Sequence, residues 1–270
     1  KKIQKEMKAQ KQRFISGCVN NKLKNNEAEN IFELLSKFAD YGFNKSHAAA
    51  YALIAFQTAF LKTHFPIEFF AASMSLDINN TDKISIFQQE LIRMNIKLNP
   101  PSINQSNSYF ARDGEKISYA LGAIKNVGIE SMNELINERK SNGTFKSLSD
   151  FIQRCNTSII NKKTLEALAC AGAFDEFSVN RSAVFNQAQE IVKFHKSQNN
   201  KSLSEQEDMF SDIELSHFSL SDEDEWNNPY KLMKEYEMLG FYLTGHPLEA
   251  HKINYPSLML KEYLDIKENQ

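Results

Sequence analysis

The chain has 270 residues, 41% of them hydrophobic and 24% charged, which supports one or two packed units and excludes a wholly disordered protein. A formal net charge of −2 excludes a generally basic surface, so any argument for a polyanionic partner has to rest on local patches. Cys18, Cys155 and Cys170 lie far apart without C-x-x-C spacing, which argues against a disulfide framework or a zinc site and fits a reducing, cytoplasmic compartment.

Residues 1–37 read as two charged amphipathic helices broken near Gly17, the second carrying Ala28, Ile31, Phe32, Leu34 and Leu35. Charge is placed unevenly. Lys1, Lys2, Lys5, Lys8, Lys11 and Arg13 are opposed only by Glu6 in the first thirteen residues, whereas no Lys or Arg falls between Lys201 and Lys231. The chain begins Lys-Lys and not Met, which raises the expectation of a piece of a larger protein.

After a Tyr41-Gly42 turn comes a long apolar helix ending at Pro66, which reads as buried. Its apolar run, Ala48 to Leu61, is interrupted by Gln57 and Thr58 and is shorter than the ~20 residues of a membrane span, so no membrane partner is expected. A further helix through Phe69, Phe70, Ala72 and Met74 stops near Asp77, and residues 79–82 offer a turn and a new N-cap. The next helix, Lys83 to Met94, ends at Asn95.

Pro100-Pro101, the polar run to Ser108 and the alternation around Tyr109-Phe110 and Ile117-Tyr119 predict a loop and a short hairpin turning at Asp113-Gly114. Short helices with tight turns return over 120–195. Residues 196–228 are polar and acidic and are expected to be flexible. Leu232, Tyr236 and Leu239 then mark a helix that stops at Gly245-His246-Pro247. The fold expected is mainly α: a helical unit over 1–98, a hairpin-rich unit over 99–195, the acidic segment 196–228 and a helical connector over 229–270.

Three clusters could carry function. Asn44 is a good N-cap, which puts Lys45, Ser46 and His47 in a first helical turn, where free N–H groups and the dipole favour an anion. A lysine there opposes the dipole by about 0.3–1 kcal/mol, a cost that makes sense with an anion in front of it. The competing reading is an ordinary capped core helix with Lys45 in water. Second, Lys125, Asn126, Val127 and Gly128 form a turn where a helix-hairpin-helix motif has Gly-hydrophobic-Gly; such turns let backbone amides approach a DNA phosphate without reading sequence. Asn126 tolerates φ > 0 in place of glycine. A looser second copy places Lys162 and Lys163 at the head of its second helix, and two ordinary helical turns compete with both.

Third, "EQEDMF" sets Gln206, Asp208, Met209 and Phe210 in the acidic segment, as a short linear motif for a hydrophobic cleft or as side chains packed on their own domain. The six histidines show no metal-ligand spacing and read by default as surface or capping residues, His47 alone having a functional neighbourhood. Paired carboxylates, Walker loops and nucleophile elbows are lacking, so no catalytic residue is assigned.

"FADYGFNKSHAAAYALIAFQTAFLKTHFPIEFFAA", followed in order by "PPSINQSNSYF", "ISYALGAIKNVG", "GTFKSLSDF", "LEALACAGAFD" and "EMLGFYLTGHPL", resembles the bacterial C-family replicative polymerase, the DNA polymerase III alpha subunit, over practically the whole chain. The resemblance implies a DNA-directed DNA polymerase: distal fingers over 1–98 with residues 44–47 facing the incoming dNTP, tandem helix-hairpin-helix elements gripping duplex DNA, and "QEDMF" binding the sliding clamp, alongside other replicase subunits. It also implies that the palm, with its magnesium-binding aspartates, and an OB-fold lie outside this stretch. No cofactor is then expected here, and the chain is expected to be a fragment inactive alone. Asn126 departs from the family pattern at the first hairpin. A non-catalytic helix-hairpin-helix, clamp-binding adaptor is the alternative, and a purely structural helical protein a third.

Overall fold

A computed structural model describes residues 4–41, 45–204 and 218–248. The chain divides into two compact units, one ending at His64 and the other beginning at Phe65. This differs from the division expected near residue 98, because residues 65–98 share their core with the segment that follows.

In the first unit, α1 (Gln4–Asn20) and α2 (Asn25–Tyr41) pack as an antiparallel pair through Ile15, Ala28 and Phe32, with Phe14 and Phe32 ring centroids 5.5 Å apart. Gly17 lies inside α1 and does not break it; the reversal comes at Lys22, whose φ of 68° is left-handed. Helix α3 (Lys45–His64) is the apolar helix expected to be buried. It is instead exposed around its circumference, with Tyr51 at 60% and Phe56 at 66% accessibility.

The second unit starts with Pro66 in the first turn of α4 (Pro66–Leu76), where a missing N–H costs nothing. Ile67, Phe70, Ala71 and Met74 recur at helical spacing and are all buried. Asn80 caps α5 (Thr81–Arg93) by accepting from Lys83 N–H at 3.1 Å, and Asn95 leaves it in a left-handed conformation, φ 56°. Strands β2 (Ala111–Asp113) and β3 (Lys116–Ser118) form the expected antiparallel hairpin. Strand β1 (Lys97–Asn99) adds parallel to β3, pairing buried Leu98 with buried Ile117, to give the order β1-β3-β2.

Helices α6 (Ile129–Asn142), α7 (Leu148–Arg154), α8 (Lys162–Cys170), α9 (Arg181–Asn186), α10 (Ala188–Ser204) and α11 (Asn228–Leu239) complete the unit. Helix α8 is its centre: Leu165, Ala167, Leu168, Ala169 and Cys170 are buried, and α9, α10 and α11 all pack on it. Gly172, at φ 79°, follows it because a Cβ there would collide with the Arg181 guanidinium. Arg181 is 3% exposed and binds both Asp175 carboxylate oxygens, at 2.8 and 2.5 Å, and the Cys170 carbonyl. Burial works against its charge, but Asp175, Glu235 and Glu225 hold its pKa above the ordinary value.

Two expectations are corrected here. His195 is a core residue, buried on α10 with Nε2 2.8 Å from the Cys155 carbonyl, and not a surface or capping histidine. The segment expected to be flexible over 196–228 is helical to Ser204, and its residues 218–228 are bound to the fold. Glu225 accepts from the N–H groups of Arg181 and Ser182, Gln187 exchanges hydrogen bonds with Ser221, and Trp226 packs edge-on to Phe185 at 5.4 Å.

Candidate nucleic-acid interface

The first hairpin enters α6 through a short 3-10 turn, Leu121–Ala123, and not a full helix. Asn126 takes φ 67°, the left-handed conformation its side chain tolerates. Val127 is buried and anchors the turn, while Lys125, Asn126 and Gly128 stay exposed. Gly128 is the N-cap of α6 and offers no side-chain cap, so the first N–H groups of a 14-residue helix have no side-chain oxygen at the cap. This combination, an open helix start behind a tight turn, presents backbone donors and the positive dipole end to an anion.

The second hairpin is built differently. Between α7 and α8 the loop is anchored by buried Ile159 and Ile160, and Asn161 caps α8 by accepting from Thr164 N–H at 3.0 Å. Lys162 and Lys163 lie exposed at its head, and Lys162 pairs with Glu166 at 3.7 Å. Sequence reasoning missed what joins the two hairpins. Ser131, in the first turn of α6, donates to the Ser158 carbonyl at 3.3 Å, and Glu134 accepts from Ser158 Oγ at 2.6 Å and Asn156 Nδ2 at 2.8 Å. Those bonds, Ser158 first, hold the Glu134 pKa below the ordinary carboxylate range. The start of α6 and the second loop therefore form one connected edge. The polar-loop composition of "CNTSIIN" was its only signal in the sequence.

The arginines of this region serve the fold. Arg112 pairs with Glu68 at 2.5 Å, Arg139 donates to the Ile103 carbonyl at 2.7 Å, and Arg154 binds Glu138 at 2.9 Å while lying 4.4 Å from the centre of the Phe145 ring. The candidate edge thus combines open amides with the exposed lysines 125, 162 and 163, together with nearby Glu130 and Glu134. Such an edge suits sequence-independent phosphate contact.

The other predicted clusters are only partly described. Asn44 lies outside the described residues; Lys45 opens α3, and Ser46 and His47 are exposed in its first turn, with the His47 ring centroid 4.3 Å from that of Tyr51. Gln206, Asp208, Met209 and Phe210 all lie outside the described residues. Among the described residues, no group of three or more His, Cys, Asp or Glu converges as metal ligands, and no helix is long and apolar enough to cross a membrane.

A family model described as a helix-hairpin-helix motif matches residues 95–184. The chain is similar to the DNA polymerase III subunit alpha of Caulobacter vibrioides, 44% identical over 92% of this chain and 22% of the relative. It is 42% identical to that of Campylobacter jejuni over 92% of this chain and 21% of the relative, and 37% identical to that of Pasteurella multocida over 100% and 24%. The chain spans about a fifth of the length of the curated relatives it matches.

Proposed function

We propose, from the premise that this chain belongs to the DNA polymerase III alpha subunit family over the stretch it shares with those relatives, that it serves template-directed DNA synthesis by holding duplex DNA through its hairpins. The observation that carries this reading is the open start of α6, where Asn126 turns left-handed and Gly128 leaves the cap free, within the stretch matched as a helix-hairpin-helix motif. Lys125, Lys162 and Lys163 add screened attraction around the amides, so affinity is independent of base sequence and falls with salt. Two further roles belong to the same reading. Residues 44–47 face the triphosphate of an incoming dNTP, supported by a lysine set against a helix dipole. Gln206, Asp208, Met209 and Phe210 dock in a cleft of the sliding clamp, supported by two adjacent large apolar side chains in an acidic stretch. Phosphoryl transfer, with its magnesium ions, takes place on a palm that these residues do not form, and no step is assigned to them beyond positioning.

The test is Gly128→Asp. The backbone there, φ −81° and ψ 135°, accepts an N-cap aspartate, and a Cβ would meet only Ser131 Oγ at 3.6 Å. The new carboxylate caps α6 and faces an approaching phosphate with like charge. Stability should hold or rise by a few tenths of a kcal/mol while affinity for a blunt duplex falls at least tenfold, by titration of labelled DNA of two unrelated sequences. Unchanged duplex affinity in the folded variant rejects the hairpin grip. In parallel arms, Phe210→Ala should abolish clamp binding by a peptide of residues 203–213, and Lys45→Ala in the full-length polymerase should raise the dNTP requirement; no change in either removes that role.

A further inference from the structure

The turn that follows α11 builds a second surface that the hairpin reading does not use. Gly240 ends α11 in the left-handed conformation, φ 86°, and the chain doubles back. Glu235, fully buried, locks the return: its carboxylate accepts from Leu243 N–H at 2.7 Å, Thr244 N–H at 2.9 Å and Thr244 Oγ1 at 2.7 Å. The lock sets three rings in a ladder. Tyr236 and Tyr242 have centroids 4.9 Å apart at 38°, and Tyr242 and His246 are 5.4 Å apart at 72°.

This ladder is one wall of a groove of about 580 Å³, a size within the roughly 300–1,000 Å³ range of ligand pockets. The facing wall is one stripe of α5, Ser85, Gln88, Gln89 and Ile92, at the i, i+3, i+4, i+7 positions that share a helix face. Ile92 is exposed although apolar, and Tyr236 is about half exposed at 47%. His246 Nδ1 accepts from Leu248 N–H at 3.2 Å, so the neutral ring carries its proton on Nε2 and can donate to a ligand oxygen.

Among the described residues, the lining contains no carboxylate, lysine or arginine. A cavity of this kind cannot grip a phosphate backbone by charge, but it does not repel one. Its aromatic faces suit the π-face of a planar heterocycle, and its two primary amides can both donate to and accept from a base edge. Among the described lining residues, an acidic or basic peptide would find no counter-charge.

We propose that this groove stacks an unpaired base of single-stranded DNA. The inference rests on the DNA-binding reading, and it adds a contact that is stacking in character and weakly dependent on salt. Such a contact is distinct from amide and lysine contacts to duplex phosphates.

The probe is a thymidine 12-mer carrying one 2-aminopurine, titrated into the 270-residue chain, with a blunt duplex measured alongside. Saturable quenching of the 2-aminopurine is expected. Tyr236→Leu keeps a good helix former and removes the ring, and should weaken single-strand binding at least tenfold relative to the same variant's duplex binding. Tyr236→Phe keeps the ring and should retain the quenching. Absent quenching, equal loss for both DNA forms, or full competition by the blunt duplex would each overturn the groove assignment. Single-strand quenching without duplex binding would instead overturn the hairpin grip and support the groove.

Discussion

Helices α3 and α8 are both rich in alanine and large apolar residues, yet they stand in opposite environments. In α8 every residue from Thr164 to Cys170 except Glu166 is buried, because α9, α10 and α11 pack around it. In α3 the same kind of residues, Leu53, Ile54, Phe56 and Leu61 among them, are exposed. Composition therefore tells that a helix is suited to being covered, and only the remaining elements decide whether it is. For α8 the decisive partners include α11, which begins 58 residues beyond the end of α8, and one buried cation, Arg181.

The largest test of that contrast is Arg181→Ala. It removes the partner of Asp175 and of the Cys170 carbonyl at the end of α8, and leaves Glu235 buried with its arginine, 3.7 Å away, gone. Breaking a buried pair from one side costs about 3–5 kcal/mol. Urea unfolding followed by amide exchange in α8 should show a loss of that size, and a loss below about 1 kcal/mol would mean that the cation contributes little to holding α8 in place. Leu168→Ala comes next, at about 2–5 kcal/mol for a fully buried leucine. Full relaxation of the surrounding helices would bring it to the low end of that range, so its size measures how tightly α9, α10 and α11 close on α8.

Local chemistry made much of this unit legible in the sequence. Asn80 as a cap, Asn95 as a helix end, Asn126 as a left-handed turn and Asp113-Gly114 as a hairpin each depend on a few neighbouring residues. What escaped was non-local. Strand β1 pairs with β3 across an intervening strand, His195 reaches the Cys155 carbonyl 40 residues away, and Glu225 bonds α9 from 44 residues downstream. The candidate site followed the same rule. The turn at 126–128 could be read from its residues, whereas the Ser131, Glu134, Ser158 connection required the tertiary fold.

The strap at 218–226 gives a smaller, pH-dependent test of non-local packing. Burial alone would raise the Glu225 pKa, but N–H groups of Arg181, Trp226 and Ser182, with Lys231, bring it below the ordinary carboxylate range. A group depressed in the folded state contributes fully above its unfolded value and loses that contribution as pH falls through its folded one. Trp226, the one tryptophan, sits between Phe185 and Tyr230 and reports on the strap. Its fluorescence should change with a midpoint below the ordinary carboxylate range, and Glu225→Gln should remove that transition. A midpoint at or above the ordinary value would mean that the strap is not held by this carboxylate.

The smallest expected effect lies in α3. Phe56→Ala deletes a large ring, but the ring is 66% exposed, so little apolar area returns to water on unfolding and no cavity forms. Alanine also has the better helix propensity, which offsets part of any lost contact with Phe60 along the same face. Urea unfolding should therefore change by no more than about 0.5 kcal/mol, the ordinary range for a surface substitution. The result matters because the same truncation type in α8 is expected to cost several times more, although both side chains are large and apolar. A loss of about 2 kcal/mol or more at Phe56 would show that α3 is covered in solution. Dependence of that loss on protein concentration would then identify the cover as a second copy of the chain, since a one-chain contact is insensitive to dilution.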